Sequence, residues 1–205
     1  MSGLRILIAS RNRGKIKEIE AALALPGVVF ETRPDLPDVE EDGADFFENA
    51  MKKARSYALW SGQPALADDS GLEVDILRGA PGIFSARFSG PEKDDRANNE
   101  KLLRMMEGIP FPERGAAFRA VIVLYTLSGE WIRAEGTCRG IILESPRGEN
   151  GFGYDPLFFL PELGKTMAEL TTDMKNKLSH RARALEELKK KLLSQEFSHL
   201  LNFNS

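Results

Sequence analysis

Sulfur and imidazole side chains are scarce in this sequence of 205 residues. Cysteine occurs once, at Cys138, which excludes an internal disulfide and a cluster of metal-binding thiolates. The two histidines, His180 and His199, are too few and too scattered for a typical zinc site. A single cysteine is also typical of a protein from a reducing compartment.

The sequence also lacks an excess of basic residues and a long apolar run. Lys and Arg number 28 against 31 Asp and Glu, which gives a net charge of −3, whereas binding to nucleic acid or to an anionic membrane favours a basic excess. No apolar stretch approaches the about 20 residues that span a bilayer, and Met1 is followed by a strand-like segment instead of a leader. We therefore expect a cytoplasmic protein that binds neither nucleic acid nor membranes.

Strand-like and helix-like segments are mixed along the chain. LRILIAS predicts a buried strand, and GKIKEIEAALAL predicts an amphipathic helix that Pro26-Gly27 ends. Three more helices are predicted, over Ala44–Trp60, over DDRANNEKLLRMMEG and over Ser179–Leu193, and Ser128-Gly129 predicts a hairpin turn. Because no linker or repeat divides the chain, we expect one domain over residues 1–205, of the α/β class, with a mixed sheet.

The loop SRNRGK, from Ser10 to Lys15, separates the first predicted strand from its helix. A helix start offers free backbone N–H groups and a positive dipole end, and three basic side chains add to the attraction for phosphate. The loop is not a Walker A motif, because Ala9 and Ile16 stand where that motif needs a glycine and a hydroxyl residue. Phosphate binding and a solvated turn capped by Asn12 remain two interpretations.

Lys53 lies at the edge of the apolar stripe of the second predicted helix, between Tyr57 and Trp60 at about 100° per residue. Lys52 and Arg55 fall on its polar side. Lys53 either extends along the apolar surface to reach water or holds its ammonium group over a cleft to meet an anion.

Carboxylates occur on both sides of this helix. Ahead of it are Glu40, Glu41 and Asp42, where acidic residues stabilise a helix start. After it, Asp68 and Asp69 stand side by side, and both can serve one site only if the strand bends, which Ser70-Gly71 would allow. Magnesium held by one carboxylate from each group would turn their repulsion into attraction. Two solvated turn aspartates are the alternative.

Two later segments could contact a base. In GFGYDP, the glycines permit close backbone approach and Phe152 and Tyr154 offer flat faces, although a tight turn with two core aromatics has the same pattern. In KNKLSHRARAL, His180 and Arg181 occupy a first helical turn, where the helix dipole disfavours cations. With Lys175, they form either a cluster directed at a ligand or a set of charges that solvent screens.

Five motifs occur in a specific order: SRNRGK, EEDGADFFENAMKKA, LADDSGLEVDILRGAPGIFSARFSG, ENGFGYDPLF and MKNKLSHRARAL. Together they resemble the inosine triphosphate pyrophosphatase family, over about Ile6 to Leu192. The resemblance implies a long mixed sheet with helices, in two lobes around an active-site cleft, and a homodimer. It also implies a house-cleaning hydrolase that uses Mg²⁺ and water to convert ITP, dITP or XTP into the monophosphate and pyrophosphate, which prevents misincorporation into DNA and RNA.

The resemblance also implies roles for individual residues. Glu41 and Asp69 match metal-binding carboxylates, and Asp69, assisted by Lys53, matches the catalytic one. The residues implied to bind substrate are Ser10, Arg11, Asn12, Arg13, Gly14, Lys15, Lys53, Ser70, Phe152, Gly153, Tyr154, Asp155, Lys175, His180 and Arg181. The usual Glu-Thr-Gly appears as Glu41-Asp42-Gly43, so Asp42 could compete for the metal, and Asp68 would support Asp69 or contact the metal itself.

Two other classes of protein stay open. A kinase or general triphosphatase would release a single phosphate instead of pyrophosphate. A non-catalytic nucleotide sensor would tolerate the loss of Asp69 and Glu41.

Overall fold

The computed structural model describes residues 4–194. They contain a mixed seven-stranded sheet with helices, which confirms the α/β prediction. The strands are Leu4–Ile8 (β1), Val28–Glu31 (β2), Ala65–Val74 (β3), Gly115–Tyr125 (β4), Trp131–Ile142 (β5), Phe158–Leu160 (β6) and Lys165–Thr166 (β7), in the order β2-β1-β3-β4-β5-β6-β7. The helices are Arg13–Ala22 (α1), Phe46–Ser61 (α2), Asp95–Met105 (α3), Thr172–Leu178 (α4) and His180–Leu193 (α5).

The described residues divide into two compact units. Unit 1 holds residues 4–69, 120–136 and 181–194, and unit 2 holds residues 70–119 and 137–180. Between residues 4 and 194, no helix is both long enough and apolar enough to cross a bilayer.

Unit 1 is built on parallel strands. β1 pairs with β2, with Leu4 opposite Val28, and with β3, with Leu7 opposite Ala65. Helix α1 begins at Arg13 because the side chain of Asn12 caps it, by accepting hydrogen bonds from the backbone N–H groups of Gly14 and Lys15. The strands and helices α1 and α5 bury one apolar cluster, which includes Ile6, Ile8, Ile19, Leu66, Leu185 and Leu188. Each such side chain contributes about 1.5–3 kcal/mol by leaving water.

Unit 2 is built on antiparallel pairing. β6 pairs with β5, with Ile141 opposite Phe159, and with β7, with Leu160 opposite Lys165. A second apolar cluster lies here and includes Leu72, Leu102, Met106, Phe118 and Phe158.

The last predicted helix is confirmed, and a short helix precedes it. Helix α4 ends at Leu178, Ser179 adopts an extended backbone with ψ of 157°, and α5 begins at His180. The sequence analysis did not predict α4, because its seven residues are too few to show a helical period.

Candidate active site

Asp68 and Asp69 lie inside β3, which runs unbroken from Ala65 to Val74. The strand is not interrupted at Ser70-Gly71. Successive side chains of a strand point to opposite faces, so Asp68 meets Lys15 and Arg181 while Asp69 meets Lys53 of α2. The two adjacent charges thus have different direct partners, but each of the two lysines is attracted by both carboxylates.

On the first face, Asp68 belongs to a buried network with α1 and α5. The guanidinium of Arg181 donates to Oδ2 of Asp68 at 3.1 Å and to Glu18, and Lys15 forms an ion pair with Asp68. Arg181 is 1% exposed and Asp68 is 3% exposed. Glu18 was not predicted, although its place one helical turn after Lys15 was a usable signal.

Burial and ion pairing compete in this network. Burial raises the pKa of Asp68, but Arg181 and Lys15 outweigh that effect and hold the pKa well below its usual range. Burial lowers the pKa of Lys15, and repulsion from Lys53 and Arg181 adds to this effect against the attraction of Asp68. The direct contact with an ionised Asp68 still favours a charged Lys15, since the pair would otherwise leave an uncompensated buried carboxylate.

On the opposite face, Asp69 is held by helix α2. The ammonium of Lys53 donates to Oδ1 of Asp69 at 2.8 Å and to Oε2 of Glu41 at 3.2 Å. The amide of Asn49, one turn earlier on α2, donates to Oδ2 of Asp69 at 3.3 Å. Lys53 is only 8% exposed. Its charge is therefore directed at two carboxylates rather than at solvent.

The pKa values on this face diverge. Burial, joined by repulsion from Glu41, raises the pKa of Asp69 in spite of Lys53. Burial also acts to raise the pKa of Glu41, but attraction to Lys53 outweighs it and the pKa is lowered. Burial would lower the pKa of Lys53, yet Asp69 and Glu41 raise it overall. Asp69 is thus a better proton acceptor than an ordinary aspartate, beside a lysine that stays charged.

The acidic loop ahead of α2 presents Glu41 and Asp42 to different partners. Glu41 contacts the buried Lys53, whereas Asp42 forms a surface ion pair with Lys52. The hydroxyl of Tyr57 also ties this loop to α2 by donating to the carbonyl of Pro37 at 2.9 Å.

The loop of residues 10–15 joins the network through Lys15. Asn12 accepts hydrogen bonds from Gly14 and Lys15, as an N-cap does, and Ser10 accepts one from the backbone of Asn12. Arg11 instead bonds the carbonyl of Leu36 and the carboxylate of Asp38. Among the described residues 4–194, the structure shows no hydrogen bond or ion pair of the Arg13 side chain, which lies at the start of α1.

We call Lys15, Glu18, Glu41, Asn49, Lys53, Asp68, Asp69 and Arg181 the charged cluster; all of them belong to unit 1. Glu41 and Asp69 fit a magnesium ion, because the two carboxylates already share one cation, and Mg²⁺ is commonly held by one or two carboxylates plus waters and phosphates. Within residues 4–194, no three His, Cys, Asp or Glu side chains are grouped as a metal site.

Unit 2 holds the second group of predicted site residues, the aromatic–glycine loop of residues 151–155. Oδ2 of Asp155 accepts hydrogen bonds from the backbone of Phe152 at 3.0 Å and from Lys175 at 2.6 Å. The Lys175 ammonium also lies 4.5 Å from the centre of the half-buried Phe152 ring. A Cβ atom at position 151 would come within 2.0 Å of Asp155, so only glycine fits there. The loop therefore folds around a charge pair with an aromatic ring beside it.

The remaining predicted residues of unit 2 are more deeply packed. Tyr154 is 3% exposed, and its hydroxyl donates to the carbonyl of Ser85 at 2.9 Å. The ring of His180 stacks on Phe118 with centroids 4.9 Å apart. Ser70 is half-buried within β3. The arrangement makes Tyr154 an anchor of the loop, and Phe152 the more accessible of its two rings.

The fold and the charged cluster define an α/β protein that pairs buried carboxylates with lysines, an arrangement suited to phosphates and divalent cations. More particularly, the chain belongs to the Ham1 family, whose sequence profile matches residues 6–191. This membership and the relatives below confirm the resemblance described from the sequence.

Its relatives match along nearly their whole length. A dITP/XTP pyrophosphatase of Geobacter sulfurreducens is 54% identical over 188 residues, which cover 90% of this chain and 94% of that protein. Among solved structures, the Ham1 protein of Staphylococcus aureus has a TM-score of 0.83 at 42% identity, over 92% of this chain and 97% of its own. A HAM1 protein from Coxiella burnetii has a TM-score of 0.85 at 41% identity, and the match covers 92% of this chain and 98% of that one.

Proposed function

We propose that this protein hydrolyses non-standard purine nucleoside triphosphates, namely ITP, dITP and XTP, to the monophosphate and pyrophosphate. The names of its relatives support the substrate class. The observation that carries the proposal is the placement of Asp69, which is bonded by Lys53 and Asn49 and lies beside Glu41. A carboxylate with a raised pKa next to fixed cations suits the activation of water for attack on a phosphate.

In this mechanism Asp69 takes a proton from water while the water oxygen bonds to the α-phosphorus. The bond from that phosphorus to the bridging oxygen breaks, and pyrophosphate leaves with the electron pair. Lys15 and Lys53 meet the charge that develops on the phosphates, together with the N–H groups of residues 13–15 at the start of α1. The predicted contacts of Ser10, Arg11, Asn12, Arg13 and Gly14 would belong to this same phosphate end.

We also propose a Mg²⁺ requirement, with Glu41 and Asp69 as the protein ligands. The ion would neutralise phosphate charge and polarise the bond that breaks. Asp42 is a weaker candidate for a Mg²⁺ ligand than Glu41, because it already pairs with Lys52 at the surface.

Base selection would depend on the aromatic–glycine loop. Phe152 can stack on a purine, and Lys175 or backbone amides can donate to the 6-oxo group of hypoxanthine or xanthine. Adenine carries an amine there, and a buried donor facing a donor is strongly disfavoured. Ser70, Tyr154, Asp155, His180 and Arg181 remain predicted substrate contacts. A homodimer and a cytoplasmic location are the further proposals that follow from the resemblance and the composition.

The test is to incubate the protein with ITP, dITP, XTP, GTP or ATP plus Mg²⁺ and to identify both products. We expect pyrophosphate and a monophosphate, with kcat/KM for ITP and XTP well above that for ATP, which lacks the 6-oxo group, and for GTP, whose exclusion depends on a conflict at its 2-amino group. Asp69→Asn should lower turnover by at least about a hundredfold while nucleotide binding persists. Asp75→Asn, a change in a surface pair with Arg139, is the control and should leave the rate unchanged. Orthophosphate as the product, or full activity in Asp69→Asn, would refute the proposal.

A further inference from the structure

Helix α3 begins with two adjacent aspartates that make different contacts. Asp94 is the N-cap, and its Oδ1 accepts hydrogen bonds from the backbone of Arg96 and Ala97 at 2.8 and 3.1 Å. Since one residue completes the cap, Asp95 is not needed for it. Its carboxylate instead accepts a hydrogen bond from the backbone N–H of Gly153 at 2.7 Å, a contact between residues 58 positions apart.

One turn along the same helix, Asn99 binds the other polar group of Gly153. Its side-chain amide donates to the carbonyl of Gly153 at 2.8 Å, and also to the carbonyl of Asp95 at 2.8 Å. Helix α3 therefore holds both the N–H and the C=O of a single loop residue. Gly153 has φ of +62°, a conformation that favours glycine and that a mobile glycine would readily leave.

These two hydrogen bonds complete the support of the aromatic–glycine loop. Asp155 binds the backbone of Phe152 on one side of Gly153, and the hydroxyl of Tyr154 is anchored at Ser85 on the other. Without the α3 contacts, the N–H and the C=O of Gly153 would lose the partners that the structure shows for them, and the hydrogen bond from the N–H of Asp155 to the carbonyl of Phe152, at 3.3 Å, would remain. Loss of these bonds would free the peptide groups of Gly153 to rotate, which would change where the Phe152 ring lies relative to Lys175.

We propose that Asp95 and Asn99 are positioning residues that hold the aromatic–glycine loop in the conformation that binds the purine base. This inference rests on the proposed function, because it assigns the same loop to base recognition. Neither residue belongs to the charged cluster, so their effect should fall on base binding and discrimination and not on bond cleavage at the α-phosphorus.

The test compares matched pairs of variants. Asp95→Ala removes the acceptor, whereas Asp95→Asn loses the same charge but keeps an oxygen that can accept from Gly153. Asn99→Ala removes the donor, and Asn99→Asp cannot restore it because a carboxylate has no N–H. Steady-state rates with ITP and ATP, the Kd for IMP by calorimetry, and thermal melting are measured for each variant. Alanine suits helix interiors, so helix propensity would not cause a loss at position 99.

We expect Asp95→Ala, Asn99→Ala and Asn99→Asp to raise the KM for ITP and the Kd for IMP by about tenfold, with kcat within about twofold. The preference for ITP over ATP should fall, and Asp95→Asn should recover most of it. Arg96→Ala is the control on the same turn, since the contact shown for the Arg96 side chain is an exposed pair with Glu100, and the backbone bond of Arg96 to Asp94 is kept.

Wild-type KM and Kd in both alanine variants would overturn the inference. So would equal damage in Asp95→Asn and Asp95→Ala, or a fall in kcat with KM and Kd unchanged. A wild-type protein that fails to produce pyrophosphate would refute the proposed function separately, and the Kd for IMP would still decide the role of α3. Absence of IMP binding in that protein would overturn the inference too.

Discussion

Lys52 and Lys53 show how strongly the environment of a residue can differ between neighbours. Lys53 is buried between Glu41 and Asp69, whereas Lys52 pairs with Asp42 at the surface. A charge held between two carboxylates cannot be removed without leaving both of them uncompensated. An exposed pair contributes about 0–1 kcal/mol.

Lys53→Met should therefore lower the free energy of unfolding by about 3 kcal/mol and reduce kcat on ITP by at least about a hundredfold. Urea denaturation and initial rates measure the two effects. Lys52→Met is the matched control and should change stability by less than about 1 kcal/mol with activity retained. Equal effects at both positions would contradict the assignment of Lys53.

Asp68 should give the protein a specific dependence of stability on pH. Its pKa in the folded state is held far below the unfolded value of about 4 by Arg181 and Lys15, against the effect of burial. The ionised carboxylate therefore contributes stability above about pH 4, and this contribution is lost as the pH falls toward the folded pKa.

The measurement is the difference in free energy of unfolding between wild type and Asp68→Asn at several pH values. We expect the difference to be largest near neutral pH and to narrow steadily below about pH 4. Because every other carboxylate titrates in both proteins, the difference isolates Asp68. A difference in free energy of unfolding that stays constant down to pH 2.5 would contradict this account of Asp68.

At the scale of elements, the end of helix α3 is held by one buried arginine. Arg114 is 2% exposed and donates to the carbonyls of Met106, Ile109, Ile142 and Leu143 at 2.6–3.3 Å. The guanidinium has several N–H groups that point in different directions, so it donates to carbonyls at the end of α3 and at the end of β5 at the same time. A lysine has a single ammonium and cannot bond both.

Arg114→Lys should consequently reduce the free energy of unfolding by about 3 kcal/mol, since several buried carbonyls lose their donor. Chemical denaturation gives the value. Arg104→Lys, an exposed change on the same helix, should have little effect. If the two substitutions lower the free energy of unfolding equally, Arg114 does not hold the ends of α3 and β5 together.

The loop that carries Glu41 is a second element-scale case. Tyr57 of α2 holds it at Pro37, while Arg11 holds it at Leu36 and Asp38. Tyr57→Phe removes one hydroxyl and keeps the ring, so Glu41 should become less well placed without unfolding. We expect the Mg²⁺ concentration for half-maximal rate to rise severalfold, with Tyr125→Phe as the unaffected control. An unchanged Mg²⁺ requirement would show that the hydroxyl has no such role.

Elements with a regular period were predictable from the sequence, and contacts across long separations were not. The apolar pattern indicated β1, α1, α2 and α5 because the period of 2 or 3.6 is local. Lys53 had two open interpretations, an ammonium that reaches water and one that meets an anion, since the helix pattern places it only at the edge of the stripe. No local pattern in the sequence links Asp95 to Gly153, which are 58 positions apart. The different partners of Asp68 and Asp69 depend on helices that pack on opposite faces of β3.

For the whole molecule, the path of the chain explains why no linker was found in the sequence. The chain passes between the two units after residues 69, 119, 136 and 180. These crossings fall inside β3, β4, β5 and α5, which are regular elements with no break. A single domain over residues 1–205 remains the prediction.

We therefore expect one cooperative thermal transition, with calorimetric and van't Hoff enthalpies in agreement. Leu66→Ala in the apolar cluster of unit 1 and Leu102→Ala in that of unit 2 should each destabilise this transition by about 3 kcal/mol. Two transitions, each shifted by only one of the substitutions, would show that the units unfold independently.

The opposed aspartates of β3 have a consequence for how this segment can change. Insertion of one codon ahead of Asp68 would place Asp68 where Asp69 now meets Lys53, and deletion of one would place Asp69 where Asp68 now meets Arg181. In either case the other aspartate would lie two residues away from the position that its neighbour holds now. Substitutions elsewhere in β3 can be tolerated, but the number of residues ahead of these two aspartates is fixed by their partners.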